Sequence, residues 1–91
     1  MDKKSYRDIE LILKGAASHR RVQILDTLER RPELSVSDIA EILLIDFRTA
    51  SEHLRKLTVA GLTMKRHEGA AVCHALTARG KHVLKFCRTL E

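Results

Sequence analysis

The hydrophobic period of this chain turns from helical to strand-like at Gly61, before a last helix restores it, and that change restricts the fold more than any other feature. Before Gly61 apolar residues recur at helical spacing; after it LTMKRHE and AVCHAL read as two strands flanking Gly69-Ala70. In SYRDIELILKGAA the residues Tyr6, Ile9, Ile12, Leu13 and Ala16 predict a helix over about 5 to 15, weakened at its end by Gly15. Ser18 caps a second helix that buries Val22, Ile24, Leu25 and Leu28, carries Arg30 and Arg31 in its last turn, and stops at Pro32. Ser35 and Asp38 have capping-box spacing and open the short helix SDIAEIL, with Ile39, Ala40 and Leu43 inward. Asp46 caps a longer helix that runs to about Ala60, with Gly61 as its left-handed C-cap. Beyond the hairpin, Thr77 caps a last helix whose stripe is Val83, Phe86, Cys87 and Leu90.

The expected order is therefore α-α-α-α-β-β-α, mainly α with a small β-hairpin, which is the order of a winged helix-turn-helix. Residues 1–91 read as one domain. A chain this short buries only about 60–65% of the surface that its unfolded form exposes, so a dimer interface would add to its core. Its 44% hydrophobic content excludes a disordered chain, while no apolar run approaches a membrane span and the charged start MDKKSYRDIE lacks the apolar core of a signal peptide. A cytoplasmic protein is expected. Cys73 and Cys87 are too few for a disulfide framework, and reduced thiols are expected.

Charge is distributed unevenly. Residues 1–46 hold 8 Lys and Arg against 9 Asp and Glu, net −1, whereas residues 47–91 hold 9 against 3, net +6. All the excess positive charge lies in the second half, as suits a polyanion, although a solvated basic face would look the same. Around the helix 46–60, taken at 100° per residue, Phe47, Ala50, Leu57 and Gly61 cluster about Leu54 as the core side. Arg48, Thr49, Glu52, Arg55, Lys56 and Val59 lie on the other side. Such a face fits the DNA major groove, where Arg can bond guanine, Glu can accept from cytosine, and Thr can reach an edge or a thymine methyl. The competing reading of Arg48 and Glu52 is an i,i+4 surface ion pair. Ser51 and His53 flank the apolar stripe, with phosphate contact and local packing as the two readings. Lys65 and Arg66, at the start of the wing, are candidate phosphate contacts.

At the residues Ser51, His53, Leu54, Leu57, Gly61 and Leu62, the chain resembles the ArsR-type (arsenic-repressor-like) winged-helix transcriptional regulators, whose pattern is S-x-H-L-x-x-L-x-x-x-G-L. ASHRRVQILDTL resembles their second helix, LSVSDIAEIL their third, and MKRHEGAAVCHAL their wing. The resemblance implies a homodimer, paired through the first and last helices, that represses transcription at a palindromic operator in double-stranded DNA. The residues placed for that pairing are Tyr6, Ile9, Leu13, Val83, Phe86, Cys87 and Leu90. Against the pattern, Ser35 and Ser37 stand where metal-sensing relatives carry a C-x-C dithiol, and hydroxyls do not replace thiolates for soft ions. The carboxylate-histidine zinc pattern is also missing around His82. Leu44 occupies a turn position that is commonly Gly, and Ala70-Ala71 replace basic residues at the wing tip.

No metal and no cofactor are expected. Two alternatives stay open: a metal- or redox-responsive regulator using Cys73, Cys87 and histidines such as His19, His67 or His82, and a winged-helix interaction module that does not bind DNA. Cys73 and His74, adjacent on a strand, point to opposite faces and do not make a joint site. No Gly-rich phosphate loop, nucleophile elbow or H-E-x-x-H is present in the sequence, and the reading is a non-enzyme.

Overall fold

A computed structural model describes residues 3–91, with side chains from residue 5 onward. The elements are α1 (Lys3–Ala16), α2 (His19–Arg30), α3 (Val36–Leu43), α4 (Phe47–Val59), β1 (Thr63–Glu68), β2 (Ala71–Leu76) and α5 (Ala78–Arg88). This is the expected order. Among the described residues no helix is long and apolar enough to cross a membrane.

The caps sit where local chemistry requires them. Ser18, Ser35, Asp46 and Thr77 each accept a backbone N–H from three residues on, at the starts of α2, α3, α4 and α5. The shorter Asp38 still completes a reciprocal capping box, accepting the Ser35 N–H at 3.0 Å while its own N–H donates to Ser35 Oγ at 3.1 Å. At the other end of α4, Gly61 takes φ +76°; its N–H donates to the Thr58 carbonyl at 3.0 Å, and the Leu62 N–H donates to the Leu57 carbonyl at 2.9 Å. Those two bonds make a Schellman motif. Leu57 and Leu62 are both fully buried beneath it, so the turn that ends the helix also aims the wing.

The core is built from Ile24, Leu25 and Leu28 of α2, Ile39, Ala40 and Leu43 of α3, Ala50, Leu54 and Leu57 of α4, and Leu84 of α5. One expectation changes here, and the outer faces of two helices come into view. Phe47 is not on the core side: it is 58% exposed, because at the first turn of α4 no element lies above it. The inward side of α5 is Gly80 and Leu84, while Phe86 and Leu90 are exposed and Val83 and Cys87 half-buried. In α1 the large apolar residues and Ala16 divide into an inward pair, Ile12 and Ala16, and an exposed set of Tyr6, Ile9, Leu11 and Leu13.

The hairpin pairs Thr63 with Leu76 through Glu68 with Ala71. Gly69 has φ +59° and Ala70 does not have positive φ, the pattern of a two-residue II′ turn. A third extended segment, which no sequence pattern announced, pairs with β2 at one point: Leu34 and His74 exchange both backbone hydrogen bonds, at 2.7 and 3.1 Å. Arg88 then locks α5 to α2 through Asp26 at 2.8 Å and Glu29 at 2.6 Å.

Leu44, in the turn between α3 and α4, has φ 57° and ψ 44°, the left-handed region, and is 89% exposed. Left-handed backbone costs an L-residue roughly 1–2 kcal/mol, and this side chain recovers little of that by packing. Leu44→Gly is expected to raise the stability by about 1 kcal/mol after the larger chain entropy of Gly is deducted, a gain of about 4–8 °C in Tm by thermal denaturation. An unchanged or lower Tm would show that the turn is held by Leu44 side-chain contacts instead.

Candidate nucleic-acid interface

The helix-turn-helix places α4 on α3 by its Ala50, Leu54 and Leu57 stripe and leaves Arg48, Thr49, Glu52, Arg55, Lys56 and Val59 exposed on its far side. Their side chains are not equally available. Glu52 is held by Arg55 through two guanidinium hydrogen bonds, one of them at 3.1 Å, so the i,i+3 partner takes it rather than Arg48. That contact lowers the Glu52 carboxyl below its ordinary range and raises the Arg55 guanidinium. The Thr49 hydroxyl donates to Asp46 Oδ2 at 3.0 Å while its N–H donates to Oδ1 at 2.7 Å; the backbone bond first, then the hydroxyl bond, holds the Asp46 carboxyl low. Arg48 has no hydrogen bond or ion pair among the described residues. Lys56 likewise has none, so of the two arginines on this face Arg48 is the one that no carboxylate holds.

Ser51 is half-buried and shares a shallow depression with Phe47, Arg48 and Glu52 on the outer side of α4. His53 points the other way, toward α2. Burial lowers its pKa first, followed by the positive charges of Arg21, Lys56, His19 and Arg20, and its Nδ1 is buried without a hydrogen-bond partner among the described residues. Sequence reasoning missed Arg20 and Arg21 as members of this cationic cluster. The available signal was the Ser18 cap, which puts His19-Arg20-Arg21 in the first turn of a helix packed on α4.

The wing separates the two basic residues that are adjacent in sequence. Thr63 Oγ1 lies 3.0 Å from Thr58 Oγ1 of α4, so Thr63, Lys65 and His67 share the face of β1 nearer α4, and Arg66 lies on the other. There Arg66 forms an ion pair with Glu33 at 2.6 Å, in the turn after Pro32. Lys65 stands opposite His74. Since His74 directs both backbone groups to Leu34, Lys65 and His74 form a non-hydrogen-bonded pair, whose side chains approach most closely. His74 is 2% exposed with an unpartnered Nδ1; burial and then Lys65 lower its pKa.

These two histidines give the fold a pH dependence. Both have folded pKa values below the ordinary 6.5, so the unfolded chain binds more protons as the pH falls through that value. Their contribution is full above about pH 6.5 and is lost as pH drops toward their folded pKa values. Tm is expected to fall between pH 7.5 and pH 5, and His74→Asn is expected to flatten the curve. An equally steep curve in His74→Asn and in His53→Asn would remove both histidines as its cause.

The dithiol positions of metal-sensing relatives do not fit a soft metal here. Ser35 Oγ is occupied as the cap of α3, and both Ser35 and Ser37 offer hydroxyls. Cys73 on β2 and Cys87 on α5 are half-buried free thiols. Among the described residues, no group of three or more His, Cys, Asp and Glu side chains is arranged to hold a metal ion.

A helix-turn-helix with a cationic outer helix, followed by a hairpin whose Lys65 flanks that helix, is the architecture of the winged helix-turn-helix class. Residues 18–63 match the family model described as bacterial regulatory protein, arsR family, and the chain belongs to that family. It is similar to a cadmium resistance transcriptional regulatory protein CadC homolog of Staphylococcus aureus, at 35% identity over 81% of this chain, and spans 61% of that protein's length. Among solved structures it is similar to HlyU from Vibrio cholerae N16961, at 32% identity and a TM-score of 0.82, covering 99% of this chain and 97% of that one. It is also similar to the homodimeric winged helix-turn-helix DNA-binding domain of Mb0332 from Mycobacterium bovis, at 27% identity and a TM-score of 0.86, covering 99% and 85% of the two chains.

Proposed function

We propose that the chain acts in the cytoplasm as a homodimeric repressor, with residues 1–91 as one domain, and that it binds a palindromic operator through α4 and the wing. The observation that carries this is the outer face of α4: a solvent-exposed helix, anchored beneath by Leu54 and Leu57, that offers an uncommitted Arg48 beside Lys56 and Arg55. Arg48 reads a base edge, and Thr49, Ser51, Glu52 and Arg55 complete the groove-facing set. Lys56 and Lys65 lie along the phosphates, while His53, turned toward α2, packs behind them, and Arg66 contributes least because Glu33 holds it.

The dimer rests on Tyr6, Ile9 and Leu13 of α1 with Phe86 and Leu90 of α5, an exposed apolar set of the kind that marks an interface. Val83 and Cys87 sit at its inner edge. The homodimeric state of the Mycobacterium bovis domain supports a dimer, and the choice of these residues rests on their exposure alone. The cadmium resistance named for the Staphylococcus aureus relative is not carried over, given the hydroxyls at Ser35 and Ser37.

Selection of bound sequences from a random duplex pool tests the proposal. Two related half-sites about 34–36 Å apart are expected, one for each α4 of the dimer. Retention of random and selected duplex to the same degree at every salt concentration would overturn sequence-specific reading; failure to bind any duplex at low salt would favour an interaction module.

A further inference from the structure

Two apolar side chains at the leading edge of the reading helix are largely left in solvent by the described residues. Leu44 is 89% exposed in the turn, and Phe47, the first residue of α4, is 58% exposed. Single exposed apolar residues are common, but these two carry further marks. Leu44 is the left-handed residue of the Schellman cap that ends α3, its N–H donating to the Glu41 carbonyl at 3.3 Å and the Ile45 N–H to the Ala40 carbonyl at 3.0 Å, so the cap fixes its backbone while its side chain is left in solvent. Phe47 borders the depression that Arg48, Ser51 and Glu52 complete, among the N-terminal residues of the reading helix, which are the ones that reach base edges.

What would cover this edge follows from its chemistry. Neither side chain carries a hydrogen-bonding group, so neither can take a phosphate or the donor and acceptor edge of a G·C pair. The major groove offers one apolar group, the C5-methyl of thymine, and Phe is among the side chains that contact it. We infer that Phe47, with Leu44 beside it, is a specificity-determining residue that selects thymine in each half-site by packing on its methyl group. This rests on the operator reading above and deepens it: Arg48 supplies the polar half of the readout and Phe47 the apolar half. Asp46 holds the geometry, since its bonds to the Thr49 N–H and hydroxyl fix the first turn, on which Phe47 is carried.

The experiment removes the methyl alone. Duplexes recovered from the random pool are resynthesised with deoxyuridine in place of each thymine in turn, and their affinities are measured for the wild-type protein, Phe47→Ala and Phe47→Gln. Removing one buried methyl is expected to weaken wild-type binding about fourfold per half-site, about fifteenfold when both are changed. The same replacement is expected to leave Phe47→Ala unaffected, because the ring that packs on the methyl is already absent. Phe47→Gln is expected to move the preference at that position from thymine toward adenine, which Gln bonds through N6 and N7. Since Phe47 is largely exposed and Asp46 remains, both variants are expected to melt close to wild type, which thermal denaturation checks. Deoxyuridine that weakens no position in the wild type, or that weakens wild type and Phe47→Ala equally, overturns the inference while leaving operator binding in place. Failure of the wild type to recover any duplex overturns both.

Discussion

Gly80→Ala is expected to destabilise the protein by about 3 kcal/mol or more, a fall of at least roughly 12 °C in Tm, at the upper end of overpacking costs for a domain of this size. A Cβ built on Gly80 falls far inside contact of the Leu62 carbonyl oxygen, and Leu76 Cδ2 is 3.3 Å away. The carbonyl cannot simply move. It accepts the Thr77 N–H at 3.1 Å, while the Thr77 hydroxyl donates to the Gly61 carbonyl at 2.6 Å and accepts the Gly80 N–H at 3.0 Å. Gly61 and Leu62 form the corner at which α4 gives way to the wing, so the start of α5 clamps the element that sets the angle between them. Displacing α5 by one methyl breaks that clamp or tilts it, and either outcome alters the wing as well as the stability. Circular dichroism at increasing temperature measures the first effect; a Tm within about 4 °C of wild type would mean that α5 slides past Leu62 without resistance.

The same corner shows where sequence reasoning reaches and where it stops. Gly61 and the four N-caps, Ser18, Ser35, Asp46 and Thr77, were legible because each capping bond closes within a few residues, and short-range chemistry is written in order along the chain. The side of α5 that packs inward was not. Val83, Phe86, Cys87 and Leu90 are as periodic as Gly80 and Leu84, and what selects the second pair as inward is the Leu62 carbonyl and α2, neither adjacent in sequence. Phe47 was misassigned for a related reason. Its angle on the helical wheel is that of Leu54, but a wheel does not record that the neighbouring element ends before the first turn of α4. The pairing of Leu34 with His74 joins residues forty apart, and no local pattern marks it.

Of the site, helix position and charge were readable, while the commitments of individual side chains were not. Arg48 and Glu52 have ideal i,i+4 spacing, yet Glu52 is bound to Arg55. Lys65 and Arg66 are adjacent letters, yet one lies beside α4 and the other is paired with Glu33. Charge counts treat such residues alike, and geometry does not.

That distinction yields the largest expected effect on binding. Arg48→Ala is expected to lower affinity for a selected duplex by about 5- to 150-fold per half-site, the range of a bidentate guanine contact, and to leave random duplex nearly unchanged. Lys65→Ala is expected to weaken selected and random duplex alike and to shift the slope of log affinity against log salt by about 0.9 for each phosphate no longer neutralised, about 1.8 per dimer. Arg66→Ala should do much less, because the DNA would first have to compete with Glu33, an ion pair 2.6 Å long, for the guanidinium. Titrations at several salt concentrations with all three variants separate these roles, since specificity is a ratio and screening cancels in it. Equal loss on selected and random duplex for Arg48→Ala would reassign it to the phosphates. A salt slope for Arg66→Ala as shifted as that for Lys65→Ala would show that the wing turns its other face to DNA, with the Glu33 pair broken on binding.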